Sequence, residues 1–281
     1  MPNIIALIFD FDDTLGPDST AALLKSMGID PNAFWADAST YYDQGWDPVL
    51  LYLYKLLKIS KAQKVGGRIT QQILQEQGRR ITFFKGVTGI FKVLTAHAKE
   101  ANPQAHLEFY LISSGIGEIL RHSKIARYFK EIWGCDFAYD AQGEIVFPKK
   151  IISFTDKTRY LFHVAKGIVG EEFKGKPFEV NRAVPKEQLR VPFEHMIFVG
   201  DGYTDIPCFS LIRKQGGVAF AVYDPGNKSN WSKAWGYVED QRITNLAPAD
   251  YRKGSALTHN LMMAISKIAA NMQLKERTFL G

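Results

Sequence analysis

Two cysteines in 281 residues, Cys135 and Cys208, are too few for a disulfide framework, and their scarcity fits a reducing compartment. No apolar run reaches the roughly eighteen residues that a helical membrane span needs. The amino terminus shows no basic segment leading into a cleavable apolar stretch, so the expectation is a cytoplasmic protein without a membrane partner. Internal repeats and low-complexity tracts are also missing. The net charge of +6 favours anionic ligands in general, but Lys and Arg are spread along the chain. Without a basic cluster, no nucleic-acid partner is expected.

What the chain does have begins at once. Ile4-Ile5-Ala6-Leu7-Ile8-Phe9 is an apolar, partly β-branched run that predicts a strand buried on both faces. It runs straight into Asp10-Phe11-Asp12-Asp13, three acids in four positions, followed by Thr14 and Leu15. Two carboxylates one residue apart at the end of a central strand repel each other, and a divalent cation relieves that repulsion. A solvated Asp-rich turn with Thr14 capping the next helix would use the same residues.

Further strand-like runs recur at Leu107–Ile112, Met196–Val199 and Val218–Val222. The first two end in Ser113-Ser114-Gly115 and Gly200-Asp201-Gly202. Helical spacing is expected over Gly86–Lys99, Ile116–Trp133 and Lys157–Lys166. Strands alternating with helices predict an α/β fold, a Rossmann-like parallel sheet with helices on both faces. In such folds chemistry gathers beyond the carboxyl ends of the strands, where the polar tails lie.

Residues 16–84 are of another kind. Asp18–Met27, Pro48–Ile59 and Ile69–Arg80 have helical spacing, and no strand is evident. They predict an inserted α-helical cap, leaving 1–15 and 85–281 as the α/β core. Phe34, Trp35, Tyr41, Tyr42 and Trp46 are expected to pack between these helices, and Lys55, Lys58, Lys61, Lys64 and Arg68 to face solvent. Cys135–Phe147 reads as a hairpin around Asp140-Ala141-Gln142-Gly143. The charged, Gly- and Pro-bearing stretch Glu171–Pro192 predicts a surface excursion, and Ser255–Met272 an amphipathic helix.

Four segments together resemble the haloacid dehalogenase superfamily, in its phosphoserine-phosphatase-like branch with a helical cap. They are Asp10-Phe11-Asp12-Asp13-Thr14, matching Asp-x-Asp-x-Thr; Ser113 after its strand; Lys157 in Thr155-Asp156-Lys157-Thr158; and Gly200-Asp201-Gly202-Tyr203-Thr204-Asp205, matching Gly-Asp-Gly-x-x-Asp. The long interval from Asp10 to Ser113 has room for the cap, while the interval from Ser113 to Lys157 has none for a second large one.

The resemblance implies a Mg²⁺-dependent phosphatase acting on a small phosphorylated metabolite. It makes Asp10 the nucleophile that forms an aspartyl-phosphate, and Asp12 the acid and base. Ser113, with the N–H groups of Ser114 and Gly115 at a helix start, would hold the phosphoryl oxygens, and Lys157 would pair with Asp10 and the phosphate. Asp10, the backbone carbonyl of Asp12 and Asp201 would hold the metal, supported by Asp205. Thr14 would brace the turn. Lys149 and Lys150 are rivals of Lys157, but they stand at the end of the expected hairpin. Two alternatives use the same residues: phosphoryl transfer to an alcohol, and a non-catalytic protein that binds a phosphorylated ligand on this fold. A dinucleotide site at Gly115-Ile116-Gly117 lacks its third glycine. Oligomeric state and the identity of the metabolite are not legible.

Overall fold

A computed structural model of the chain describes residues 3–64, 67–226 and 243–279. Seven strands form one sheet in the order β4-β3-β2-β1-β5-β6-β7. They are β1 (Ile4–Phe9), β2 (His106–Ile116), β3 (Phe129–Tyr139), β4 (Ile145–Lys150), β5 (Met196–Gly200), β6 (Val218–Tyr223) and β7 (Asn245–Pro248). All neighbours run parallel except β3 and β4. The apolar run of β1 occupies the centre, and every one of its residues is buried. An all-apolar strand belongs there because both faces of a parallel sheet are covered.

Strand register shows how the faces are divided. Phe9 pairs with Val199 and Ile8 with Phe198, so Phe9 and Phe198 point to opposite faces. Phe9 meets Phe91 of α5 (Val87–Ala101), whereas Phe198 meets Phe209 of α8 (Ile206–Lys214). The long α9 (Ala256–Phe279) packs beside α5, and α7 (Asp156–Lys166) beside α8. Helices therefore cover both faces, as the alternation of elements predicts. Among the described residues no helix is long and apolar enough to cross a membrane.

Four helices lie between β1 and α5: α1 (Ser19–Ser26), α2 (Pro31–Ser39), α3 (Pro48–Ala62) and α4 (Gln71–Arg80). Asp18, Asp30, Asp47 and Thr70 each cap one with a side-chain oxygen, satisfying N–H groups that the first turn leaves free. Phe34 packs edge-on to Trp35, and Trp46 stacks on Tyr54. The expectation of a solvated lysine face fails at Lys55. Its ammonium pairs with Asp37 and sits over the rings of Phe34 and Tyr41.

The expected helix over Ile116–Trp133 is the main correction. Helix α6 covers only Gly117–Arg121, a single 3₁₀ turn spans Ala126–Tyr128, and β3 starts at Phe129. The first part of β3 pairs in parallel with β2 and the second part antiparallel with β4, closing the expected hairpin. Asp140 builds its turn by accepting from the N–H groups of Gln142 (3.0 Å) and Glu144 (2.9 Å). Glu171–Pro192 holds three short 3₁₀ turns, and Lys166 ties it down by donating to the carbonyls of Val180 (2.6 Å) and Arg182 (2.7 Å).

The chain leaves the sheet at Thr14-Leu15 and returns at Phe84-Lys85, and these crossings touch. Phe84 N–H donates to Leu15 O at 2.9 Å. Tyr251, fully buried beyond β7, donates its hydroxyl to Thr14 O at 2.8 Å and its N–H to Lys85 O at 2.8 Å. Gly86 follows at φ +85°, where a Cβ would strike the backbone of Tyr251 and Arg252.

Candidate active site

Three of the four motifs arrive at the carboxyl ends of neighbouring strands, and the fourth lies on a helix. Asp10 follows β1, Ser113 lies near the end of β2, Asp201 follows β5, and Lys157 sits in the first turn of α7. Lys157 is completely buried, with its Nζ 3.1 Å from Asp10 Oδ2 and 2.8 Å from Asp205 Oδ1. It also donates to Thr204 Oγ1 at 3.0 Å. Burial alone would discharge this ammonium, but Asp10 and Asp205 hold its pKa above the usual lysine value. The rivals are placed elsewhere: Lys149 and Lys150 lie on β4, and Lys150 Nζ is 4.0 Å from Asp136.

Asp205 uses both oxygens. While Oδ1 meets Lys157, Oδ2 accepts from the N–H groups of Asp201 (3.2 Å) and Gly202 (3.3 Å). It thus shapes the loop that carries Asp201, and a Cβ on Gly200 would collide with its carboxylate. Asp10, Asp201 and Asp205 can each bring one oxygen within 4.8 Å of the others. Asp10 Oδ1 is buried and has no hydrogen-bond partner. A bare buried oxygen beside a second carboxylate is a donor set for a hard divalent cation. Asp10 and Asp201 fit as direct donors, while Asp205 is already engaged.

Asp12 Oδ1 accepts from Ser19 N–H at 2.7 Å, one of the free donors at the start of α1. Burial pushes the Asp12 carboxyl well above the usual range, with Asp18 and Asp10 adding to it against Ser19. Burial likewise raises Asp201, helped by Asp205, Asp10 and Asp13.

The expected phosphate loop differs in one respect from the sequence reading. Ser114 and Gly115 belong to the end of β2 and not to a helix start, since α6 begins only at Gly117. Gly115 N–H is already given to Ser113 Oγ at 3.0 Å, which leaves the Ser113 hydroxyl proton free to donate. Ser114 O accepts from Tyr52 Oη of α3 at 2.6 Å and from Cys135 Sγ at 3.2 Å. A Cβ on Gly115 would stand 2.6 Å from Asp12 Oδ2, so only glycine lets this loop approach the acid. Thr14 is buried in the turn after Asp12, its N–H donating to Phe11 O at 3.1 Å.

These groups floor a cavity of about 390 Å³ whose walls include Asp18, Trp35, Tyr42 and Tyr52 from residues 16–84. Trp35 and Tyr42, expected to pack between helices, in fact reach this cavity. Thr204, Ser19 and Tyr52 are contributors that sequence reasoning missed. Thr204 occupies a variable position of its motif, and nothing local marks Ser19 or Tyr52 as neighbours of the acids.

No family model matches the chain. An uncharacterised protein of Borreliella burgdorferi is 28% identical over 289 residues, which cover 94% of this chain and 97% of that protein. In structure the chain is similar to a HAD family hydrolase from Salmonella enterica serovar Typhi, with TM-score 0.58 and 15% identity over 93% of this chain and 71% of that one. It is also similar to a probable phosphoserine phosphatase from Vibrio cholerae, with TM-score 0.52 and 12% identity over 96% of this chain and 67% of that one. A substrate-bound phosphoserine phosphatase matches with TM-score 0.51 and 15% identity, over 86% and 91% of the two chains. The chain has the haloacid dehalogenase fold, in the form shared with phosphoserine phosphatases.

Proposed function

We propose that this protein is a Mg²⁺-dependent phosphohydrolase that removes phosphate from a small phosphomonoester by way of an aspartyl-phosphate on Asp10. The observation that carries this reading is the state of Asp10: one oxygen is held by the buried Lys157 and the other is without a partner, beside a cavity. A carboxylate nucleophile must be fixed in one orientation, and the contact with Lys157 fixes it.

Asp10 attacks phosphorus, forming the Asp10 O–P bond as the ester P–O bond breaks. Asp12, oriented by Ser19, gives its proton to the departing oxygen. The same carboxylate then takes a proton from the water that hydrolyses the acyl phosphate, returning both acids to their starting states. The Ser113 hydroxyl donates to a phosphoryl oxygen, and Lys157 offsets charge as the phosphoryl group transfers. Magnesium held by Asp10, Asp201 and the Asp12 carbonyl would supply the positive charge that lets a phosphate dianion enter among carboxylates. A cavity of about 390 Å³ suits a small ester.

The test is hydrolysis of p-nitrophenyl phosphate with and without Mg²⁺. Metal-dependent release is expected, falling by about a thousandfold or more in Asp10→Asn. Turnover by Asp10→Asn close to that of the unaltered protein would exclude Asp10 as the nucleophile. Mg²⁺ is also expected to raise the melting temperature of the unaltered protein and not that of Asp201→Asn.

A further inference from the structure

Residues 16–84 hold a second cavity, of about 430 Å³, that shares no lining residue with the first. Helices α2 and α3 stand between the two. Trp35 and Tyr52 line the cavity of the acids, whereas Phe34, Tyr54, Lys55 and Lys58 line the other. Nothing in the proposed reaction uses this second space.

Its walls are largely aromatic. Trp46 stacks on Tyr54 with ring centroids 5.3 Å apart, and Tyr41 meets Trp46 edge-on at 6.5 Å. Core packing does not account for the stack, because Tyr54 remains 38% exposed. Open aromatic faces of this kind receive another flat ring.

The charges around it are unevenly answered. Asp30 caps α2 by accepting from Asn32 N–H at 3.0 Å, and Asp37 is paired with Lys55. Lys58 Nζ lies 5.6 Å from the centroid of the Tyr54 ring and has no carboxylate partner among the described residues. Lys55 and Lys58 stand one turn apart on α3, so two ammonium groups share the same opening. Burial lowers the Lys55 pKa, and the charge of Lys58 lowers it further. An anion placed beside them would offset that repulsion and give Lys58 a charged acceptor.

We infer that this cavity is a second ligand site, taking a small planar aromatic ring that carries one anionic group. The ring lies against Trp46 and Tyr54, and the anion meets Lys58 with Lys55 beside it. The volume is in the range of small-molecule pockets. Such a site does not depend on phosphate hydrolysis at Asp10.

Isothermal titration calorimetry with naphthalene-2-sulfonate is the test. 2-Naphthol supplies the ring without the charge, and methanesulfonate the charge without the ring. Naphthalene-2-sulfonate is expected to bind about tenfold or more tightly than either. Lys58→Ala is expected to weaken that binding about tenfold, and Trp46→Leu severalfold. Lys58→Ala should keep the melting temperature and the p-nitrophenyl phosphate turnover of the unaltered protein, which separates lost binding from lost folding. Equal affinity for 2-naphthol or methanesulfonate overturns the inference, and so does an affinity unmoved by Lys58→Ala. Absence of measurable binding overturns it as well.

Discussion

The two ends of β2 treat carboxylates in opposite ways. Near the amino end, Glu108 Oε1 accepts from Arg190 (2.6 Å) and Lys130 (3.0 Å), while Oε2 accepts from Arg190 (2.8 Å) and Tyr110 Oη (2.5 Å). Burial would raise this carboxyl, but Arg190, Tyr110 and Lys130 together bring it down to about 2. Beyond the carboxyl end, five acids line a cavity above the buried ammonium of Lys157. Same strand, opposite charge balance. A saturated carboxylate can only hold structure together, whereas an undersupplied set is completed by a ligand.

The largest expected break in this contrast comes from Lys157→Met. Removing the ammonium leaves Asp10 and Asp205 buried without a cation, which costs about 3–5 kcal/mol in metal-free protein. Denaturant unfolding measures that loss, and turnover of p-nitrophenyl phosphate should vanish with it. A stable, active variant would contradict the role given to Lys157.

Arg190→Ala tests the other end and is expected to cost about 2 kcal/mol. Since Asp10 and Asp12 stand beyond the other end of β1 and Lys157 is on α7, kcat should change little. Glu108 titrates near 2 when folded and near 4.5 otherwise, so its contribution is fully present above about pH 4.5 and is lost as pH falls toward 2. The stability gap between the unaltered protein and Arg190→Ala should therefore be flat above about pH 5 and narrow below it. A gap that widens on acidification would reverse the assignment.

The smallest effect belongs to Tyr52→Phe. It removes one hydrogen bond to Ser114 O, and the Cys135 thiol still reaches that carbonyl. A loss of about 1 kcal/mol in stability is expected, with a severalfold fall in kcat/KM. Unchanged kinetics would show that α3 does not help to set the Ser113–Gly115 loop.

The central strands were legible because burial on both faces demands unbroken apolar runs, as at Ile4–Phe9 and Met196–Val199. The acids behind β1 stood out because carboxylates crowded directly behind such a run have few structural uses, whereas Ser113 was legible only through the order of all four segments. The stretch 116–133 misled because Ile116, Ile119, Leu120 and Ile125 mimic a helical face, although Ile116 ends β2, Ile119 and Leu120 lie on the five-residue α6 and Ile125 lies between α6 and β3. Strand β7 is four residues long and ends in Pro248 at the sheet edge, too short a pattern to read. The contacts of Lys157 with Thr204, of Asp12 with Ser19 and of Tyr52 with Ser114 depend on how separate segments meet, which local sequence does not encode.

Tyr251 holds both crossings between the sheet and residues 16–84, yet it is synthesised more than two hundred residues after the acids it steadies. During translation the acids emerge before Tyr251, and the turn that carries them lacks its clasp until Tyr251 has cleared the ribosome. Asp10 is made well before the residue that clasps its turn, so a truncated chain ending before Tyr251 would expose the acids of a site it could not complete.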